Sequence, residues 1–399
     1  MNRSVPDRAH ASATRGQLAP LCAAGFVTAF GAHSIAASLG GYTHAQHASL
    51  LTLGLLLAVY DGAEVIGKPV FGSLADRIGP RPVLLGGLVA FAVASAGFVL
   101  AGDPALVGVA RLGQGIAAAA FSPAASALVA RLAPRTQHGR AFGGYGAWKG
   151  LGYTLGPLLG GVLITLGGYP LLFATLAGLG LSVAAWAWFT VPALPALPRA
   201  RQTVLDLARR LGTSSFLRPT VALAAATAAL SVGVGFLPVI GAARGLGPLA
   251  TGAAVSLLAA TAALVQPWVG KAHDGGRIGS RAGMAAGLVL AAAGLALVAA
   301  LPGLSAVVVG AVFIGAGTGV ATPLGFAHLA ATADAARLGQ TMGAAEVGRE
   351  LGDAGGPLLV GAIAIGSGLS GGLIGLAALL AASVAAITLG RGQARPVRD

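Results

Sequence analysis

The chain has 399 residues, of which 9% are Asp, Glu, Lys or Arg and 56% are hydrophobic, with a net charge of +13 and a mean hydropathy of +0.82. An ordinary soluble domain needs about 25% charged residues to cover its surface, so a cytosolic enzyme, a disordered chain and a secreted disulfide scaffold are excluded. Cys22 is the single cysteine, which leaves no disulfide framework and no cysteine-rich metal site.

What remains is a polytopic membrane protein. Crossing about 30 Å of hydrocarbon takes about 20 apolar residues. Twelve stretches meet that demand, in chain order 17–40, 48–70, 82–102, 104–130, 140–166, 169–191, 219–243, 248–270, 282–301, 304–330, 340–366 and 369–389. They are rich in Leu, Ala, Val and Gly with no period-two alternation, so they are helices and not barrel strands. The shortest separations, at 102–104, 166–169 and 366–369, are Gly, Asp or Pro turns. Residues 1–16 form a polar tail, and the span that follows is too long for a signal-peptide core, so it is expected to be an uncleaved first helix.

Basic residues set the orientation. Of the 25 Lys and Arg residues, 20 fall before span one, after the even-numbered spans, or in the 192–218 connection. Arg244 alone lies on the opposite side, and Lys68, Arg111, Lys149 and Arg349 fall within spans. Both termini are therefore expected in the cytoplasm. The positive charge is a topology signal and an attraction for anionic lipid, not a nucleic-acid footprint. The expected organisation is an all-α fold: a tail (1–16), a first six-helix bundle (17–191), a cytoplasmic linker (192–218), a second bundle (219–389) and a tail (390–399). Leu205, Leu207 and Leu211 could place a short interfacial helix in the linker.

The halves repeat at an offset near 200. Gly72-Ser-Leu-Ala-Asp76-Arg77-Ile-Gly79-Pro80-Arg81 follows span two, and Gly270 to Arg281, with Asp274, Arg277 and Gly279, follows span eight. Gly156-Pro157 in span five is answered by Gly356-Pro357 in span eleven, and Gly113-Gln-Gly115 by Gly315-Ala-Gly317. With those landmarks the chain resembles a major facilitator superfamily transporter over essentially all twelve spans. The Gly72–Arg81 loop is similar to the family's G-x-x-x-D-R-x-G-R-[RK] motif, with Pro80 in place of the first basic residue after Gly79. Arg111-Leu-Gly-Gln114-Gly115 resembles the span-four element of the drug–proton antiporter branch. Gly152-Tyr-Thr-Leu-Gly156-Pro157-Leu-Leu-Gly160-Gly161 is similar to its span-five antiporter pattern at every fixed position.

The resemblance implies a gating role for Gly72, Asp76, Arg77, Gly79 and Arg81, and for Asp274, Arg277 and Arg281 in the duplicate. The aspartate would face the positive end of a helix from the other half; the plainer reading of this loop is a turn that ends span two. Gly152, Gly156, Pro157, Gly160 and Gly161, with Gly356 and Pro357, would form close-packed, bendable helix interfaces.

Charges inside spans are costly unless paired or wet. Span two carries Asp61, Glu64 and Lys68 on one face; span eleven carries Glu346, Arg349, Glu350 and Asp353 within two turns. Spans two and eleven face each other in the family fold, which implies a network of Asp61 and Glu64 with Arg349, and Lys149 nearby. Two readings stand side by side: static salt bridges that latch the halves, or at least one carboxylate acting as a proton carrier. Asp61 and Glu64 lead as carriers, Glu346 and Glu350 follow, and Arg349 and Lys149 are the charge partners. Arg111 takes a proton-coupling role by resemblance, against a plain capping contact to neighbouring carbonyls.

The resemblance also implies a central cavity lined by spans one, four, seven and ten, with Phe26, Phe30, His33, Gln114, Phe236, Phe313 and Phe326 as candidates. Away from the span ends, Gln114 and Gln266 are the amides, which disfavours a sugar and suits amphipathic, including cationic, compounds. No phosphate-binding loop is present. The expectation is a monomeric proton-driven exporter in a bacterial cytoplasmic membrane. It would use no metal or cofactor beyond the proton gradient, and its partners would be the lipid bilayer, protons and a small molecule, with no nucleic acid. Two alternatives remain open: a carrier of an organic acid or lysolipid, and a transporter-like sensor without flux.

Overall fold

A computed structural model describes residues 15–45, 50–99, 104–197, 212–245 and 248–389. Most of the expected N-terminal tail, the C-terminal tail at 390–399 and the linker at 198–211, with the helix expected around Leu205, lie outside the described residues.

The first four helices are α1 (Arg15–Ala45), α2 (Leu50–Ile78), α3 (Pro80–Val99) and α4 (Pro104–Leu132). A helical element His138–Thr190 follows, broken at Gly167 and Gly168 into α5 (138–166) and α6 (169–190). Then come α7 (Ser214–Ala243), α8 (Pro248–Asp274), α9 (Ser280–Ala300) and α10 (Gly303–Thr332). The last element, Leu338–Thr388, breaks at Gly368 into α11 (338–367) and α12 (369–388). The turns expected at 166–169 and 366–369 are thus single kinks. Gly168 (φ 69°) and Gly368 (φ 71°) take up left-handed backbone that a side chain would strain. One boundary moves: Ser214–Arg218, expected in the linker, already belong to α7, since that run contains no helix breaker.

Packing follows small residues. In the first half α1 lies on α5, where a Cβ at Gly152 would stand 2.6 Å from the Phe26 carbonyl and one at Gly160 2.7 Å from the Ser34 Cβ. The second half repeats this: Gly352 and Gly356 of α11 admit the backbone and Cβ of Ala224 and Ala228 on α7. Two further pairings, α2 with α11 and α5 with α8, join the halves. One buried core gathers the first-half helices and reaches into α10 and α11 through Phe326 and Met342; another fills the second half around Leu258, Leu288 and Ile314.

A strap runs across the end where α2 terminates. Leu197 N–H donates to the Asp76 carbonyl at 2.8 Å, Arg131 donates to the Pro195 carbonyl at 2.8 Å, and Gly79 (φ 94°) passes beneath the Leu194 carbonyl. The first residues of the linker are therefore splinted to the loop that carries the first repeated motif.

Candidate functional site

Three layers of polar side chains lie along the seam between the halves, counted from the arginine-rich face inward. The first is a pair of latches. Asp76, at the end of α2, accepts from the backbone N–H groups of Gly339 (2.7 Å) and Gln340 (2.9 Å) at the start of α11. Asp274, at the end of α8, accepts from Gly139 (2.8 Å) and Arg140 (2.9 Å) at the start of α5. Each carboxylate thus caps a helix N-terminus of the opposite half, where unsatisfied N–H groups and the helix dipole both favour an anion. Glycine makes the approach possible: a Cβ at Gly72 would be 2.5 Å from the Gly339 carbonyl, and Gly270 would clash with Gly139. The other basic residues of the motifs stand apart. Arg77, Arg277 and Arg281 are solvent-facing. Arg81 donates to the Trp188 carbonyl and lies 5.2 Å over its indole, so it ties α3 to the end of α6 within one half.

The second layer is a buried ion cluster. Lys68 on α2 contacts Glu350 (2.6 Å), Glu64 (3.3 Å) and Glu346 (4.0 Å), and is 0% exposed. Glu346 on α11 is also 0% exposed and receives Lys149 of α5 at 2.9 Å and Arg349 of its own helix at 3.2 Å, with Ser126 of α4 donating to its other oxygen at 3.3 Å. Arg349 also donates to the Tyr153 hydroxyl at 3.2 Å, and Lys149 to Ser122 at 3.5 Å. Three cations meet three carboxylates largely shielded from water, Glu350 keeping 12% exposure, and mutual pairing is how buried charge is tolerated.

The expected network joins Glu64 to Arg349 and Lys149 through Lys68 and Glu346 and not by direct pairing, and the ion pairs among the described residues do not include Asp61. Glu64 pairs with Lys68 one turn along its own helix, and Arg349 is held by Glu346 and Tyr153. Lys68, to which the sequence assigned no role, is the hub of the cluster. Tyr153, Ser122 and Ser126 were also missed; the one local sign was Tyr153 at a variable position of the span-five pattern.

The third layer opens into a cleft. Fifteen residues separate Asp61 from Asp76 and fourteen separate Asp353 from Gly339, so both lie roughly 21–23 Å from the latches at 1.5 Å rise per residue. Asp61 is exposed, on the face of α2 that carries Glu64 and Lys68 and away from Ile66 and Val70. Asp353 is half-buried, and its carbonyl accepts from Ser231 of α7 at 3.0 Å. His33 of α1 meets Tyr153 edge-on at 4.2 Å. Beyond this level α5 buries only the glycines that face α1, Gly156 and Gly160, and α11 only Gly356 and Val360 facing α7. Among the described residues the seam is closed at the arginine-rich face, and beyond Asp61 and Asp353 α5 and α11 are buried only against α1 and α7 of their own halves.

The remaining candidates divide. Phe26 and Phe30 stack at 5.4 Å on α1, with Phe26 edge-on to Trp148 of α5. Phe313 is half-buried on α10. The structure does not bring Phe30, 2% exposed in the first-half core, or the other three to the cleft. Gln114 is turned into the first half, donating to Ser95 of α3 at 2.8 Å, because a buried amide needs a partner. Phe236 packs against the second core beside Ile240 and Leu295. Phe326 stacks on Phe142 of α5 at 5.6 Å, inside the closed end. Arg111, 1% exposed, lies 4.2 Å over the Tyr60 ring and donates to the Leu56 carbonyl at 3.4 Å. That is the capping contact of its plainer reading together with a cation–π contact. Among the described residues no group of His, Cys, Asp and Glu has the arrangement of a metal site.

Comparison with known proteins places this geometry. Residues 21–275 and 221–399 each match the profile of the Major Facilitator Superfamily. A segment of 147 residues, 37% of this chain, is 33% identical to an uncharacterized MFS-type transporter of Mycobacterium tuberculosis and covers 25% of it. Another of 111 residues, 28% of this chain, is 31% identical to the quinolone resistance protein NorA of Staphylococcus aureus and covers 29% of that protein. The matched segments thus span only about a quarter of the length of these relatives. Among solved structures, the human organic anion transporter TETRAN superposes with a TM-score of 0.79 at 19% identity, over 94% of this chain and 99% of that one. The Escherichia coli fucose:proton symporter FucP superposes with a TM-score of 0.76 at 14% identity, over 94% and 98%. At those identities the likeness is one of fold.

Proposed function

Because the chain belongs to the Major Facilitator Superfamily, and so is a multi-pass membrane carrier and not an enzyme, we propose that it exports small amphipathic compounds across a bacterial cytoplasmic membrane in exchange for protons. The reading has both termini in the cytoplasm, the halves rocking about a midplane site, and the arginine-rich face closed in the state described. The local identity to a quinolone resistance protein supports efflux over uptake.

The observation that carries the reading is the ion cluster beneath the cleft. Lys68, Lys149 and Arg349 are each occupied by Glu64, Glu346 or Glu350. None of the three is left to hold an anionic substrate, which weighs against an organic acid. The cleft above presents Asp61 and Asp353 instead, groups that suit a proton or a cation. The two latches, which hold one face closed by hydrogen bonds that a carboxylate can release, support a cycling carrier over a sensor.

Everted membrane vesicles test this directly. With the protein present, a panel of amphipathic dyes and drugs is expected to accumulate when a proton gradient is imposed and to leak out when a protonophore collapses it. Accumulation indifferent to the gradient refutes the coupling, and no movement of any compound favours the sensor.

A further inference from the structure

The two latches share their capping geometry but not the residues beside it. The residue before the donor N–H groups is Leu338 at the start of α11 and His138 at the start of α5. The residue before the accepting carboxylate is Ala75 on α2 and His273 on α8. The first latch thus has apolar neighbours where the second has two imidazoles, groups whose charge changes near neutral pH.

His138 is 3% exposed. Its Nε2 lies 3.0 Å from the Ala130 carbonyl near the end of α4, and since a carbonyl only accepts, Nε2 donates. The ring stands edge-on to Phe142 at 6.3 Å, and Phe142 stacks on Phe326 of α10. The next residue has no slack on its other side. A Cβ at Gly139 would be 2.5 Å from the Gly270 carbonyl, 2.7 Å from Asp274 Oδ1 and 3.0 Å from the His273 ring. The first turn of α5 is therefore wedged between the ends of α4 and α8. Any movement that frees the imidazole also carries away the Gly139 and Arg140 N–H groups that Asp274 holds.

The groups around this turn set the sign of a pH response. Arg135, in the short turn before α5, opposes a positive charge on His138. Asp274 of α8 and the Ala130 and Ala133 carbonyls favour one. Arg131 of α4 is turned to the Pro195 carbonyl, and Arg140 and Lys271 are exposed. His273 is tied to the Ile278 carbonyl at 2.8 Å with the Ser280 hydroxyl at 3.4 Å, and His328 of α10 lies toward it and Arg281. A second proton on His138 is thus a buried cation at the positive end of a helix dipole, beside an arginine. Two carbonyls and a carboxylate already shared by two N–H groups return less than an ion loses on leaving water. Exposure of the turn removes that loss, so protonation favours release. The latch holds above the imidazole range and loosens as pH falls through it.

We propose that His138 is a pH switch on the second latch, through which acid at the arginine-rich face frees the start of α5 from Asp274. Leu338 gives the first latch no such response. The inference rests on reading the latches as what holds that face shut; it does not depend on which compound is carried.

The measurement is pulsed electron resonance on full-length protein in a Cys22→Ser background, with nitroxides at the exposed Thr136 and Arg277, one on each side of the second latch. Without further substitution, the longer-distance population is expected to grow about threefold or more from about pH 8 to about pH 5.5. His138→Leu, which copies the first latch, is expected to lose most of that growth, and so is His138→Gln, which keeps a neutral donor. A distribution that is flat with pH before any change at His138 overturns the switch, and that measurement needs no variant at this site to fold. Undiminished growth in both His138 variants also overturns it, and assigns the response to another group, foremost the half-buried Asp76 of the first latch. Asp274→Asn separates the switch from the latch. If it lengthens the distance at about pH 8 while His138-intact protein ignores pH, the latch stands and the switch falls. If it leaves the distances unchanged at every pH, both fall.

Discussion

Glu346 has no exposed surface and faces three cations: Lys149 and Arg349 at hydrogen-bond distance and Lys68 at 4.0 Å. Its neutral replacement leaves those charges uncompensated in a space water does not reach. Breaking a buried ion pair from one side typically costs about 3–5 kcal/mol, so Glu346→Gln is expected to lower the thermal unfolding temperature in detergent by many degrees. Adding Lys149→Met to that variant is expected to return part of the loss, because it removes one of the stranded charges. A melting temperature unchanged by Glu346→Gln would mean the cluster is not closed to water. Two of the cluster's bonds were readable at this scale. Glu64 with Lys68 is an i, i+4 pair and Glu346 with Arg349 an i, i+3 pair, spacings at which helix side chains meet. The sequence reading looked instead across the seam and did not place Lys68 between Glu64 and Arg349.

Helices in this protein are joined by close backbone approach, and the element scale shows which glycines matter. Gly156 and Gly161 are both fixed positions of the span-five pattern, yet the structure separates them. A Cβ at Gly156 meets His33 and the Ser34 backbone at 3.0–3.1 Å, whereas nothing lies within 4 Å of one at Gly161. Gly156→Leu is therefore expected to abolish well-folded expression, and Gly161→Leu to leave it near wild type, as judged by size-exclusion profiles. Equal tolerance of both would show that α1 can withdraw from α5 without cost. A repeat pattern marks both positions alike because it records spacing along one helix; only the neighbouring helix decides which side is covered.

At the scale of the molecule, two latches built alike join the halves at the arginine-rich face. Each engages two of the four unsatisfied helix-start N–H groups by hydrogen bonds to a carboxylate, about twice as strong as neutral ones. Asp76→Asn and Asp274→Asn each keep a side-chain acceptor but lose the charge, and about 1.4 kcal/mol is a tenfold change in an opening equilibrium. The double variant is thus expected to shift the population toward a state open at the arginine-rich face. Nitroxide labels at the exposed Arg77 and Arg281, on opposite halves, in a Cys22→Ser background, would read this as a longer distance in pulsed electron resonance. A distance distribution identical to wild type would relieve both aspartates of any gating part. This scale was the most legible from sequence, since each aspartate sits in a local motif whose duplicate appears at a constant offset.

What the sequence by itself determined is the helical architecture, its kinks and the existence of an intramembrane charge set. Hydrocarbon allows a backbone few ways to satisfy its hydrogen bonds, so apolar length alone dictates the helices, and a lone left-handed position in an apolar run calls for glycine. What only the tertiary structure decided is which charges meet, and that Gln114, Phe236 and Phe326 turn away from the cleft while Lys68 becomes the hub. Those outcomes depend on the rotation of each helix about its own axis and on which end of the seam is shut. Both are set by packing between segments some 200 residues apart, and no local pattern encodes them.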